Sequence, residues 1–122
     1  MWNVVILWVG CVVSLSYGHM CLVTPPQRGP SNDINAVGAS DCYLKTGPCG
    51  GRTQNLTSGT ALVAGKQFVV TIQKNLDHFN AARPGYFAVS IGADEASLKE
   101  IHRIADTAEP SLALYSDDVT VP

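Results

Sequence analysis

The sequence predicts an all-β fold, an antiparallel β-sandwich with long loops and one short helix. Two strand-like runs carry this expectation. Phe68–Ile72 is apolar and β-branched, and Gly85–Ile91 is rich in aromatic and β-branched residues and closes on Gly92. The third observation is negative: strands do not alternate with helical patterns, and no internal repeat occurs, so a βαβ architecture is excluded.

In chain order, Val4–Val13 is an apolar run followed by Ser16-Tyr17-Gly18, with small residues three before and one before the next bond. That is the pattern of a cleaved secretory signal over residues 1–18. The run is too short to span a bilayer as a helix, which takes about 20 residues. Residues 19–122 are then the mature domain, beginning at His19. The segment from His19 to Gly29 opens extended and turns at Pro25-Pro26. Residues 30–52 are rich in Gly, Pro, Ser, Asn and Asp and read as a long irregular segment, ending in a tight Pro48-Cys49-Gly50-Gly51 turn suited to pinning by a disulfide. Asn55-Leu56-Thr57 is an N-glycosylation sequon, so Asn55 is expected at the surface. The polar stretch Gln73–Pro84 reads as a loop. Asp94 is placed to cap a short helix reaching about Asp106, with Leu98, Ile101 and Ile104-Ala105 on one face. Leu112–Tyr115 and Val119–Val121 read as two further strands, the second stopping unfinished.

Composition narrows the partners. The net charge is −2 and the Lys and Arg residues are scattered, so nucleic acid is not expected as a partner. After the signal no stretch is apolar enough to span a membrane, and the expected localisation is secreted, extracellular. Cys11 leaves with the signal, and Cys21, Cys42 and Cys49 remain as disulfide candidates. Three cysteines allow one internal disulfide and leave one thiol over. A partner cysteine beyond Pro122, in a C-terminally truncated chain, is the expectation that accounts for the odd thiol and the unfinished strand together.

The chemistry centres on histidine. Cleavage after Gly18 gives His19 a free amine beside its imidazole, two nitrogens that chelate one metal ion from a single residue. His78 lies in the loop Leu76-Asp77-His78-Phe79-Asn80 before the strand at 85–91, and loops at the end of a sandwich are where sites are built. One more imidazole from His78 makes a three-nitrogen set with open positions, which suits the tetragonal preference of Cu(II). Zinc usually takes a fourth ligand, and no cysteine pair has finger spacing. Copper must displace the proton of the amine, so affinity should fall with pH. His102, on the polar side of the expected helix, reads as a solvated surface histidine.

His19 behind a signal, Pro25-Pro26-Gln27-Arg28-Gly29, the Pro48-Cys49-Gly50-Gly51 turn and Asp77-His78 resemble the histidine-brace copper proteins. That group comprises the lytic polysaccharide monooxygenases and the non-catalytic copper-acquisition-factor-like family, and the Arg28-Gly29 and Pro-Cys-Gly-Gly elements are closer to the latter. The resemblance spans His19 to about Gly92. It implies an immunoglobulin-like or fibronectin-like sandwich with His19 and His78 as copper ligands, one ion per chain. It also implies a late third or axial ligand, for which Tyr115, Asp117 and Asp118 are the candidates of the right type before Pro122. None of them matches a family motif, and Asp77 is a neighbour of His78 whose side chain points to the opposite side in an extended segment.

Three functions follow as expectations. The favoured one is a secreted protein that holds Cu(II) for extracellular acquisition, storage or delivery, with a copper-delivery partner at the cell surface. The alternative is a copper-dependent enzyme cleaving chitin- or cellulose-like polysaccharide, which needs a flat platform with exposed aromatic residues. Trp2 and Trp8 leave with the signal, Phe68, Tyr86 and Phe87 read as core, and only Phe79 and Tyr43 remain for such a surface. The third is a secreted binding module without a metal.

Overall fold

The structure, a computed structural model, describes residues 3–5, 19–47, 49–54 and 59–122. The rest of the expected signal segment, including Trp2 and Trp8, and the Asn55 sequon lie outside the described residues. Two three-stranded antiparallel sheets face each other. One is ordered β1 (Asn3–Val5), β4 (Tyr86–Gly92), β5 (Lys99–Ala105); the other is ordered β2 (His19–Thr24), β3 (Gln67–Leu76), β6 (Ala113–Thr120). Both strand runs read from sequence are strands, β3 and β4, and each is the centre of its sheet. The described helices are one-turn 3-10 pieces at Ser40–Cys42, Cys49–Gly51 and Glu95–Ser97. None is long and apolar enough to cross a membrane.

The core is what makes this a sandwich. Leu22, Val70, Ile72 and Val119 from one sheet meet Phe87 and Val89 from the other, with Met20, Phe68, Ile101, Ile104 and Tyr115 packed around them. A second, smaller cluster lies on the outer face of the β2–β3–β6 sheet, where Cys21, Ala39 and Cys42 are buried beside Ile34. The alternation of β2 explains both: Met20 and Leu22 face the inner core, while Cys21 faces the segment that crosses outside the sheet.

Four expectations are corrected here. Gln73, Lys74 and Asn75 are not loop but the buried end of β3. Their polarity is compatible with burial because each is satisfied: Gln73 and Asn75 donate to carbonyls of Ile34 and Ala36, and Lys74 meets carboxylates. The helix expected from Asp94 to Asp106 lasts one turn. Asp94 does cap it, accepting from Ala96 and Ser97 N–H groups in a capping box, but Lys99–Ala105 is β5. A bulge opposite Val89 and Ser90 leaves Ile101 as an extra residue, so Ile101 and Ile104, three apart, both reach the core and imitate helical spacing. The two late strands are one, since Ser116–Asp118 continue the β6 ladder opposite Val69–Thr71. Finally, the disulfide is Cys21–Cys42, and Cys49 is a free thiol. The turn at Cys49–Gly51 is held instead by the Arg52 N–H donating to the Cys49 carbonyl at 3.1 Å. Gly50 has φ +63° with Leu44 Cβ 2.9 Å from where its own Cβ would stand, so no larger residue fits there.

Candidate metal centre

His19 begins β2 at one corner of its sheet. The segment that backs it is built by the Pro25–Gly29 turn. Gln27 accepts from the Leu22 N–H through its side-chain oxygen and donates to the carbonyl of Asp41. Arg52 threads the same turn, donating to the carbonyls of Arg28 and Pro30 and pairing with Asp41 at 2.8 Å. Gly29, at φ +75°, leaves room for it, because a Cβ there would meet Arg52 Cδ at 2.9 Å. The motif that reads as a family signature therefore acts locally as scaffolding, bringing residues 30–43 back across the sheet. Arg28 itself reaches Glu95 at 2.6 Å.

Three further ties fasten this segment. Asn75 accepts from the Ala39 N–H at 2.7 Å and donates to the Ile34 and Ala36 carbonyls and to Gln73. The register explains why Asn75 is available: His19 stands opposite Leu76 and Met20 opposite Lys74, so Asn75 is the bulged residue between them. The Cys21–Cys42 disulfide is the third tie, after Gln73. Beyond Cys42, Tyr43 lies against the His19 ring with centroids 4.2 Å apart and planes 14° from parallel. Lys45 Nζ stands 4.2 Å from the same tyrosine ring.

His78 follows the end of β3 by two residues. Its ring is exposed and makes no hydrogen bond or ion pair among the described residues. Its neighbours are tied. The Asp77 N–H donates to Ser111 Oγ at 2.8 Å, and Asp77 Oδ1 accepts from the Phe79 N–H at 2.9 Å and from Lys74 Nζ at 2.9 Å. The Lys74 hydrogen bond, followed by that from Phe79, holds the Asp77 carboxyl below its ordinary range. Burial pulls Lys74 toward the neutral form, but hydrogen bonds with Asp77, Asp106 and Tyr115 and the charge of Asp106 outweigh it and hold the ammonium above its ordinary pKa.

The antiparallel register relates the two histidines. Residues facing each other across such a ladder have Cα atoms about 5 Å apart. His19 faces Leu76, and His78 is two residues further along the same chain, so both ligand candidates emerge at one corner of the sheet. No group of three or more His, Cys, Asp or Glu side chains set to hold a metal occurs among the described residues. The donor set read from sequence needs only two side chains, its remaining nitrogen being the main-chain amine that cleavage after Gly18 would free.

The other candidates lie elsewhere. His102 is in a strand, and its Nε2 lies 2.6 Å from Asp117 Oδ2, a hydrogen bond between edge strands of the two sheets. That contact lowers the Asp117 carboxyl. Tyr115, Asp117 and Asp118 face Ile72, Val70 and Val69 on β3, progressively further from Leu76, and the Tyr115 hydroxyl is engaged with Asp106 and Thr107. The late residues that do reach the His78 loop are Ser111 and Leu112, whose N–H donates to the Lys74 carbonyl at 2.7 Å.

No protein-family model, curated protein or solved structure matches this chain.

Tyr43, Lys74 and Ser111 are the residues that sequence reading missed. Tyr43 stood out only as an exposed aromatic, and Lys74 as part of a polar loop. A lysine two positions after Ile72 on a strand of inward-facing Val70 and Ile72 was the available sign that its charge is buried against a partner.

Proposed function

We propose that this protein is secreted and holds one Cu(II) ion through a histidine brace, for extracellular acquisition, storage or delivery of copper. In this reading His19 contributes its amine and one ring nitrogen, and His78 contributes one ring nitrogen. The observation that carries it is the β2–β3 register, which brings the first residue after the expected cleavage site to the same corner as His78. The exposure of His78 and the tyrosine shelf against His19 fit a pair of rings presented to a ligand. Nitrogen donors with open positions suit Cu(II). The disulfide fits an oxidising compartment.

Cleavage after Gly18 has a structural consequence in this reading. Asn3–Val5 form β1, paired with Ser90–Gly92 on the outer edge of β4, and they would leave with the signal. The described residues that meet between the two sheets belong to β2–β6.

A carrier is favoured over a polysaccharide-cleaving enzyme by where the aromatic rings lie. Phe87 and Tyr115 pack on each other in the core at 5.2 Å, and Tyr86 is covered by the Arg103 guanidinium at 4.1 Å. Tyr43 stacks on His19 instead of extending a flat surface away from it.

The test is an electron paramagnetic resonance spectrum of protein processed at His19, with one equivalent of Cu(II). A type 2 signal with nitrogen coupling, lost in His19→Ala and His78→Ala and retained in His102→Ala, is expected. A spectrum equal to that of copper in buffer, from folded protein, would leave the metal-free binding module. Oxidised sugars released from chitin or cellulose with copper and a reductant would reverse the choice between carrier and enzyme.

A further inference from the structure

We propose that Lys74 is the positioning residue for His78. The inference rests on the brace reading for its purpose, but its geometry stands independently. His78 has no hydrogen bond of its own among the described residues, so its direction is set by the backbone of Asp77 and Phe79 on either side. Both neighbours converge on one ammonium. Asp77 Oδ1 receives Lys74 Nζ at 2.9 Å while also closing the turn through the Phe79 N–H, and the Phe79 ring centroid lies 5.7 Å from the same Nζ.

Lys74 can impose a direction because it is itself immobilised. Its side chain is only 4% exposed, and the ammonium also meets Asp106 Oδ1 at 3.0 Å and the Thr107 carbonyl at 2.7 Å. Tyr115 donates to Asp106 and lays its ring 5.6 Å from Nζ. An ammonium with this many fixed partners loses little further freedom by holding Asp77. The loop after β3 is thereby referenced to the segment after β5 and to β6, so the exposed imidazole projects from a braced turn. A ligand directed in this way needs no reorganisation when it binds, and groups that orient a metal-binding histidine typically matter about 10- to 100-fold in affinity.

A lysine that served only to fill and neutralise its niche would leave His78 unaffected when replaced by a neutral chain of similar length. The experiment uses protein processed at His19 and compares wild type, Lys74→Met, Lys74→Arg and the double variant Lys74→Met/Asp106→Asn. The double variant removes a carboxylate left without its partner and touches neither Asp77 nor Phe79, which guards against loss of folding. Two readouts are taken: the nitrogen coupling and affinity for Cu(II), and the ring nitrogen–proton correlations of His78 without metal. Expected are a 10- to 100-fold weaker Cu(II) affinity, loss of one ring nitrogen from the spectrum, a shift of the His78 ring resonances, and partial recovery in Lys74→Arg. A folded double variant with wild-type coupling, affinity and His78 resonances overturns the proposal. If wild type shows no nitrogen-bound copper, the brace reading falls, and the ring resonances decide Lys74 alone: unchanged, they overturn its role, and shifted, they uphold it.

Discussion

Tyr43 lies nearly parallel to His19, with ring centroids 4.2 Å apart, although the two residues are 24 positions apart in the chain. The contact exists because the intervening segment is fastened at its far end, where Cys42 is bonded to Cys21, two residues from His19. Stacked aromatic pairs contribute about 0.5–1.5 kcal/mol beyond the area they bury. If the brace reading holds, Tyr43→Ala should weaken Cu(II) binding about two- to tenfold by loosening the first ligand. Tyr43→Phe, which keeps the ring, should stay near wild type in a competition titration. Equal losses in both variants would mean that the hydroxyl, not the stack, matters.

Asn75 ties the same segment from beneath, and its removal tests whether that support is energetic. It is fully buried and makes four hydrogen bonds, to the Ala39 N–H, the Ile34 and Ala36 carbonyls, and Gln73. Asn75→Leu keeps the branched shape and leaves the Ala39 N–H and the Ala36 carbonyl without that partner, while the Ile34 carbonyl keeps the Gln73 amide. A buried polar group left in that state costs about 1–3 kcal/mol each, so a fall in Tm of several degrees is expected. Thermal unfolding measures it. Asn75→Leu at wild-type Tm would show that water replaces the amide at no cost.

These two residues mark the limit of what was legible beforehand. The strands β3 and β4 were readable because Phe68–Ile72 and Gly85–Ile91 are dense in strand-forming side chains. What escaped is long-range. Gln73, Lys74 and Asn75 look like loop until the carbonyls at 34 and 36 and the carboxylates at 77 and 106 are brought to them. Residues 99–105 look helical because a bulge shifts the alternation by one, and bulges leave no local composition to read. The disulfide was one of several open pairings until the Pro25–Gly29 turn returned Cys42 to Cys21.

The cysteines differ in reactivity in a way that can be counted. In protein processed at His19, mass spectrometry should find one disulfide, Cys21–Cys42, and one alkylatable thiol, Cys49. Burial raises the Cys49 thiol; the nearby Arg28 charge opposes this and that of Glu95 adds to it. Thiolate is the reactive form, so Cys49 should be labelled more slowly at neutral pH in the native state than after unfolding. Arg28→Ala should slow it further, since the one favourable charge is then gone. Replacing Cys21 and Cys42 by Ser should cost about 2–5 kcal/mol, the usual loss when a small domain is deprived of a native disulfide. Equal labelling rates before and after unfolding would contradict the burial of the thiol.

The Lys74–Asp77 pair sets a stability plateau with two limbs. Asp77 is held below its ordinary value of 3.8, so its contribution is complete above that pH and is lost as pH falls through the lower native value. Lys74 is held above its ordinary value of 10.5, so its contribution is complete below that pH and is lost as pH rises through the higher native value. Between about pH 5 and pH 9 neither group changes charge appreciably in either state, and the pair adds no slope there. Lys74→Met removes the lysine's part of the alkaline limb and leaves the part due to the Cys49 thiol, which burial raises. It also removes the main cause of the Asp77 shift, so the acid limb should flatten, leaving the part due to the Phe79 N–H. Asp117→Asn, by contrast, should flatten the acid limb and leave the alkaline one intact, because its partner is His102 and not Lys74. Urea unfolding from pH 3 to pH 11 on the three proteins separates these contributions. An alkaline limb as steep in Lys74→Met as in wild type would assign it to other groups and remove the lysine from the account of stability.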